Sequence, residues 1–351
     1  MANPRNPAFL LVAFLCFLAT SAFVSGATLE VCQSGACAYS SVTAALLAAR
    51  GGDVVHVQKG NYANEATTNV IVSSDITLRH ALRTHLSFLH SFVDVTNIVD
   101  LNLDVSLADN SGDQGAVISL SFAYPTNQWL SINGTLTLVG DLTLVVNAGN
   151  WPNNAILVPA GGQLVQKGNL NFVGGNARYG GSGITVQGVY KQTGNLTAAT
   201  TGTTAFGAIV QLQDQGTWLQ DTEASVDMQL LRSTGVSFSN GGSWLQKGEI
   251  NMKLDQSANG VACLVKPNKV WVQQGRVNMI TSNFSVGISL NTGKWQGFGD
   301  IDMIVLDSGS EGISCYNPTV DVAGRVLVQQ NGACYTLLVP TRCTLKPRFC
   351  P

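Results

Sequence analysis

The segments Gln163-Leu-Val-Gln-Lys-Gly-Asn-Leu-Asn-Phe172, Ser243-Trp-Leu-Gln-Lys-Gly-Glu-Ile-Asn-Met252 and Val270-Trp-Val-Gln-Gln-Gly-Arg-Val-Asn-Met279 repeat one pattern. An apolar anchor is followed two residues later by Gln, then by Gly, then by a run that alternates apolar and polar residues. The anchors Leu164, Tyr190, Trp218, Trp244, Trp271 and Trp295 are separated by 26, 28, 26, 27 and 24 residues. A second marker, Gly before an aliphatic or small residue, recurs at Gly183, Gly207, Gly235, Gly260, Gly287 and Gly312, with spacings of 24, 28, 25, 27 and 25. Two markers that keep one period, carried only by short strands and Gly-rich turns, describe a chain coiled on itself. Helical solenoids need helix-period patterns and leucine-rich repeats need a Leu-x-x-Leu-x-Leu core; neither is present. Each period reads as three short strands. The predicted fold is therefore all-β: a single-stranded, right-handed parallel β-helix of roughly ten rungs, about 48 Å long, with equivalent residues on neighbouring rungs about 4.8 Å apart.

The chain has 351 residues, and a solenoid of that length needs no second core. Charged residues make up 11%, against about 25% in ordinary domains. With 37 Gly and a net charge of −2, the surface is one of hydroxyls and amides. Such a surface lacks the basic footprint that binds nucleic acid or acidic membranes. At the start, Arg5, the apolar run Phe9 to Leu18 and the small residues Val24-Ser25-Gly26 read as a secretory signal. The apolar run is too short to span a bilayer, which takes about 20 residues. The expected organisation is a signal over 1–26, a parallel β-helix over 27–333 and a Cys-containing C-terminal cap over 334–351. The expected location is extracellular.

Cys32 and Cys37 bracket a tight loop and are expected to pair in an oxidising compartment. Cys263 and Cys315 hold one place in the repeat with Leu290 between them. Two rungs is about 9.6 Å, beyond the reach of a disulfide, so these two should not bond each other. Cys334, Cys343 and Cys350, with Cys315 as a further candidate, leave the pairing of the tail open. Sequons at Asn133, Asn195 and Asn283 are candidate glycosylation sites in a secreted chain.

Ser40-Ser-Val-Thr-Ala-Ala-Leu-Leu-Ala-Ala49 begins with a Ser cap and helix formers and stops at Gly51-Gly52. The strand Asp53-Val-Val-His-Val57 and the turn Gly60-Asn61-Tyr62 follow. Helix, Gly-Asp, strand and Gly-x-Tyr together resemble the N-terminal cap of the pectin-lyase-like right-handed parallel β-helix superfamily. The resemblance implies that the helix plugs the open end of the coil, and the repeats extend it over nearly all of the remaining chain. Residues 79–92, with His80, His85 and His90, depart from it and are expected to form an irregular rung; their five-residue spacing is not that of a metal pair. No metal and no cofactor are expected. The coil proper is expected from Gly115, with an extra strand's worth of residues in Gly134–Val146.

The catalytic sets of this superfamily are missing from the sequence. The polygalacturonase-like Asn-Thr-Asp, Asp-Asp, Gly-His-Gly and Arg-Ile-Lys are absent, and no His lies beyond residue 90. The pectate-lyase-like Trp-x-Asp-His and Arg-x-Pro-x-x-Arg and the pectinesterase-like Asp-Phe-Ile-Phe-Gly are absent too. No particular enzyme family is matched, and a fold alone carries no activity.

Two constellations remain. If Ile250 and Met252 face inward, then Asp227, Glu249, Arg276 and Asp300 on the same wall face outward.

 Asp302 belongs to that outward set, as do Asn251 and Asn278. Two carboxylates about 5 to 9.5 Å apart could serve as acid and base in glycosidic cleavage, and an Arg beside them could grip a uronate. The plainer reading is a surface charge ladder whose members neutralise one another and add little stability. The second constellation is the column Trp218, Trp244, Trp271 and Trp295. Facing outward it would stack on sugar rings and bind a ligand; Lys191 and Gln296 at the alternate positions favour an inward stack instead. The column Gln166, Gln192, Gln220, Gln246 and Gln273 shares its face and is expected to form an amide ladder from rung to rung.

The leading expectation is a non-catalytic extracellular protein that binds or scaffolds polysaccharide in a matrix or cell wall. The alternative is a divergent lyase, glycoside hydrolase or epimerase using the Asp227–Asp302 face. Polysaccharide is the expected partner, with no nucleic acid and no membrane span, and self-association is a third reading.

Overall fold

The computed structural model describes residues 26–32, 34–50, 53–58, 70–72, 76–80, 93–95, 98–102, 116–120, 130–138, 141–146, 154–174, 181–200, 207–263, 270–291, 293–315, 318–330, 333–338 and 344–348. Between 70 and 130 and beyond 330 the description is of backbone alone. The expected signal segment and residues 81–92 lie outside the described residues.

The chain winds into a right-handed parallel β-solenoid with three walls. Sheet A has twelve strands, from Thr28–Val31 to Thr319–Val322; sheet B has eleven, ending at Thr344–Arg348; sheet C has ten, ending at Glu311–Cys315. From Ala116–Leu120 to Val326–Gln330 the chain visits the three walls in strict rotation, and the neighbours of a strand are its counterparts one rung before and after. The most regular part comprises the seven sheet A strands from Gln163–Gln166 to Thr319–Val322. Eleven spacings between the twelve strands of sheet A give a length of about 53 Å. Gly134–Val146 holds no extra strand: Thr135–Leu138 lies in sheet A and Leu142–Val146 in sheet B, as in any other rung. Nor does the coil begin at Gly115, since sheet A already runs through Val54–Val57 and Ile76–His80. At the far end, Ala333–Leu338 and Thr344–Arg348 add to sheet B as an antiparallel hairpin.

Identical inward positions stack because register is kept from rung to rung. In sheet A, Tyr190, Trp218, Trp244, Trp271 and Trp295 form one buried column. Their ring centroids are 5.3, 4.3, 5.6 and 5.4 Å apart and their planes are within 22° of parallel. The rung rise is close to a stacking distance, so offset stacking is the arrangement the coil imposes. In sheet B, Met228, Met252, Met279 and Met303 stack in the same way and are buried. These are all the methionines after Met1. In sheet C the column is Ile184, Val210, Val236, Val261, Ile288 and Ile313.

The second inward position of sheet A is polar. Gln166, Gln192, Gln220, Gln246 and Gln273 are buried, but their amides do not bond one another. Each Nε2 instead donates to a carbonyl of its own turn: Gly168 at 2.9 Å, Gly194 at 2.9 Å, Ala224 at 3.1 Å, Gly248 at 2.6 Å and Gly275 at 2.7 Å. The second Nε2 hydrogen reaches a carbonyl one rung on, from Asn195 at 2.8 Å to Asp300 at 3.5 Å. An amide ladder is thus replaced by a set of side-chain brackets on turn carbonyls. The Gln oxygens look toward the aromatic column. Tyr190 donates its hydroxyl to Gln166 Oε1, and burial pushes the Tyr190 pKa up, so that proton stays in place. Trp218 Nε1 donates to Gln192 Oε1 at 3.2 Å. In the next three rungs the equivalent indole nitrogens and Gln oxygens are buried without another partner.

The turns after Gln192, Gln246 and Gln273 must bring backbones very close. A Cβ at Gly275 would lie 1.9 Å from the Gly248 carbonyl oxygen, and one at Gly194 would lie 2.0 Å from that of Gly168. Only Gly tolerates that approach, which accounts for the Gln-x-Gly spacing.

The short helix α1, Val42–Ala48, covers the first rungs. Ser41 Oγ accepts the Ala44 N–H at 3.2 Å and caps it. Val42, Ala45 and Leu46 bury against Val31, Val55 and Val57. Asp53 clamps both flanks of this cap, accepting the Ala27 N–H at 2.7 Å and the Arg50 N–H at 2.8 Å. These bonds, that from Arg50 foremost, hold its carboxyl below its ordinary pKa.

Trp244→Ala should cost about 3–5 kcal/mol in urea unfolding, whereas Leu245→Ala, on the outer face of the same strand, should cost under about 1 kcal/mol. Asp53 has a depressed folded pKa, so its contribution is present above the unfolded value and is lost as pH falls through the folded one. The thermal-midpoint gap between wild type and Asp53→Asn should therefore be full near neutrality and close as pH drops below about 3.9.

Candidate functional site

Sheet B presents the chemistry. In Glu249–Asp255 the residues Ile250, Met252 and Leu254 are buried and the alternate ones face outward. The same register sets Asn171, Thr197, Asp227, Asn251, Asn278 and Asp302 in a single outward column. Its members bond along the coil. Asn251 Nδ2 donates to Asp227 Oδ1 at 2.8 Å, and Asn278 Nδ2 donates to Asn251 Oδ1 at 2.8 Å and to Glu249 Oε1 at 2.8 Å. The Thr197 hydroxyl donates to Asn171 Oδ1, and the Ser225 hydroxyl to the second oxygen of Asp227.

The charged residues pair at the C-terminal end of this face. Arg276 Nη2 donates to Asp302 Oδ2 at 2.7 Å, and Arg325 Nη2 donates to both Asp302 oxygens at 2.9 and 3.1 Å. Arg325 Nε also lies 3.7 Å from Asp300 Oδ2, and its backbone N–H donates to Asp300 Oδ1 at 3.1 Å. The hydrogen bond to Asp302 raises the Arg276 pKa above its already high ordinary value.

Of the five residues singled out from sequence, Arg276, Asp300 and Asp302 thus share one ion-pair network, while Glu249 and Asp227 bond to Asn278 and Asn251. Asp227 and Asp302 are three rungs apart, about 14 Å, which exceeds the separation of a glycosidic acid–base pair. Glu249 and Asp300 are two rungs apart with Arg276 on the rung between. Arg325 was not among the candidates. Its signal was present, since Gly275-Arg276-Val277 recurs as Gly324-Arg325-Val326.

A shallow groove of about 540 Å³ runs over this wall. Its floor holds Thr197, Asp227, Asn251 and Asn278; Gln229 and Lys253 lie alongside, with Val173 and Ile280 toward its ends. Lys253 makes no ion pair among the described residues. The groove is open and more of its lining is apolar than polar; amides, a hydroxyl, a carboxylate and one ammonium stand among Val173, Ala199 and Ile280. That set can accept and donate hydrogen bonds along an extended polar chain.

The four tryptophans of the column face the core, with Trp218, Trp244 and Trp271 wholly buried and Trp295 at 1% exposure, so the outward, sugar-stacking alternative does not hold. Asn133, Asn195 and Asn283 are all exposed. Asn283 sits in a turn at φ 52° and its Nδ2 donates to Asp255 Oδ1 at 2.6 Å. Cys32 and Cys37 form a disulfide with a Cα–Cα distance of 5.5 Å. Register places Cys263 and Cys315 two rungs apart with Leu290 between them. Cys315 is disulfide-bonded, and its partner is outside the described side chains.

No helix among the described residues is long and apolar enough to cross a membrane. The walls, register and turns define a parallel β-solenoid. No protein-family model matches the chain. No curated protein matches it. Among solved structures it is similar to PfbA, a surface adhesin of Streptococcus pneumoniae, at 10% identity over 87% of this chain and 93% of that one. The TM-score is 0.23, a likeness too low to bear on function.

Asp302→Ala should lower stability by less than about 1 kcal/mol, because the ion pairs it breaks are solvent-facing. Chemical denaturation of the variant beside wild type measures this.

Proposed function

We propose that this protein is a secreted, non-catalytic β-helix protein of an extracellular matrix or cell wall, and that it binds or scaffolds polysaccharide along sheet B. The observation that carries the reading is the outward column Thr197, Asp227, Asn251 and Asn278, hydrogen-bonded from Asp227 to Asn278, on the floor of an open groove. A sugar chain laid along the coil would meet equivalent polar groups at every rung, about 4.8 Å apart. The carboxylates support binding over catalysis, since each is held by an amide, a hydroxyl or a guanidinium. The signal-like N-terminus, the sequons and the low charge fit an extracellular setting. The cap and repeats favour placement in the pectin-lyase-like superfamily, without its catalytic sets.

The second reading is a divergent polysaccharide-acting enzyme. It is favoured by Asp227 lying in the groove.

The purified protein, incubated with a panel of uronic-acid and neutral wall polymers, should co-elute with at least one and leave its chain length unchanged. Asn251→Ala should weaken that retention about fivefold, the value of one hydrogen bond. Polymer shortening that disappears in Asp302→Asn or Arg276→Ala would establish a depolymerase instead.

A further inference from the structure

Sheet A has an outer face of a different kind. Its strands are four residues long and in register without a break from Gln163–Gln166 to Thr319–Val322. Two outward columns result. One reads Lys191, Leu219, Leu245, Val272, Gln296, Asp321, and the other Val189, Thr217, Ser243, Val270, Lys294, Thr319. Over the three central rungs, Thr217 to Val272, every outward residue is uncharged and half-buried. Exposed charges of opposite sign, Lys191 and Asp321, stand five rungs apart in the first column, which runs on past Lys191 to the half-buried Val165. Neither makes an ion pair among the described residues.

We infer that this face pairs the chain with a second copy of itself about a twofold axis parallel to the strands. Such an axis keeps each column opposite its own image and reverses the order of the rungs. Lys191 then meets Asp321 of the second copy, and Asp321 meets Lys191, as an isologous contact requires. Leu245 faces Val272 and Leu219 faces Gln296. The five spacings between Lys191 and Asp321 come to about 24 Å, and the strip is about 13 Å wide. A face of about 310 Å² on each copy falls below the roughly 800 Å² per partner of standard interfaces, so association is weak and concentration-dependent. Sheet B, with its groove, stays open on both copies, but the pairing does not depend on what that groove binds.

Sedimentation equilibrium of the full chain over a wide concentration range, without polysaccharide, tests the inference. A monomer–dimer equilibrium is expected for wild type. Leu245→Lys should abolish it while circular dichroism and unfolding midpoint stay near wild type. Lys191→Asp and Asp321→Lys should each weaken it roughly tenfold, and the two together should restore it. A chain that stays monomeric at every concentration overturns the proposal. So does a dimer that survives Leu245→Lys, or one that the double charge reversal fails to rescue.

Discussion

The structure depends on turn carbonyls that buried Gln amides hold from within. Where sheet A turns into sheet B, successive rungs pack so tightly that a side chain on the turn Gly would overlap the carbonyl oxygen of the rung before. Those oxygens need donors, because a buried acceptor left alone costs about 1–3 kcal/mol. The buried Gln amides supply them, one hydrogen to their own turn and one to the next. Gly and Gln are therefore one device: Gly permits the approach and Gln makes it tolerable. With the rise fixed at that corner, the aromatic and methionine columns fall into register on the two walls it joins.

That logic explains what was legible. A column needs the same kind of residue at each rung, so Trp218, Trp244, Trp271 and Trp295 announce the period, and Lys191 and Gln296 beside them announce which way they face. Where the column changes its residues, the reading failed. In the rung of Thr135–Leu138, Leu136 and Leu138 take the places held one rung on by Leu164 and Gln166, so neither marker stands there and the sequence reads as holding an extra strand. The Gln column was visible, but its partners were not, since a side chain bonding to backbone leaves no matching residue elsewhere in the sequence. Outward positions were legible as an alternation only. That Asp302 would be held by Arg276 and Arg325 together depends on how far two long side chains reach across rungs.

The walls have separate characters. Sheet B faces outward with amides and paired charges, and sheet A with aliphatic and hydroxyl groups. In sheet C the column Thr185, Gln211, Ser237, Ala262, Ser289 and Ser314 is small but for Gln211, and Thr185, Ser237 and Ala262 are buried. One inward pattern supports all three, so the outer residues are free to differ without disturbing the coil. This separation lets a chain with few charged residues carry a polar wall on one side and a largely aliphatic and hydroxyl one on another.

The repeat length varies from 24 to 28 residues, yet strand register does not slip, so the turns absorb the difference. A rung is thereby a self-contained module: what lies above it and what lies below it are chemically alike. Losing or duplicating one between Tyr190 and Trp295 would join an aromatic ring to an aromatic ring, a Gln bracket to a turn carbonyl and a sulfur to a sulfur. Unequal exchange within the gene would change the height of the column and the length of its groove in whole steps, while leaving both ends of the molecule untouched.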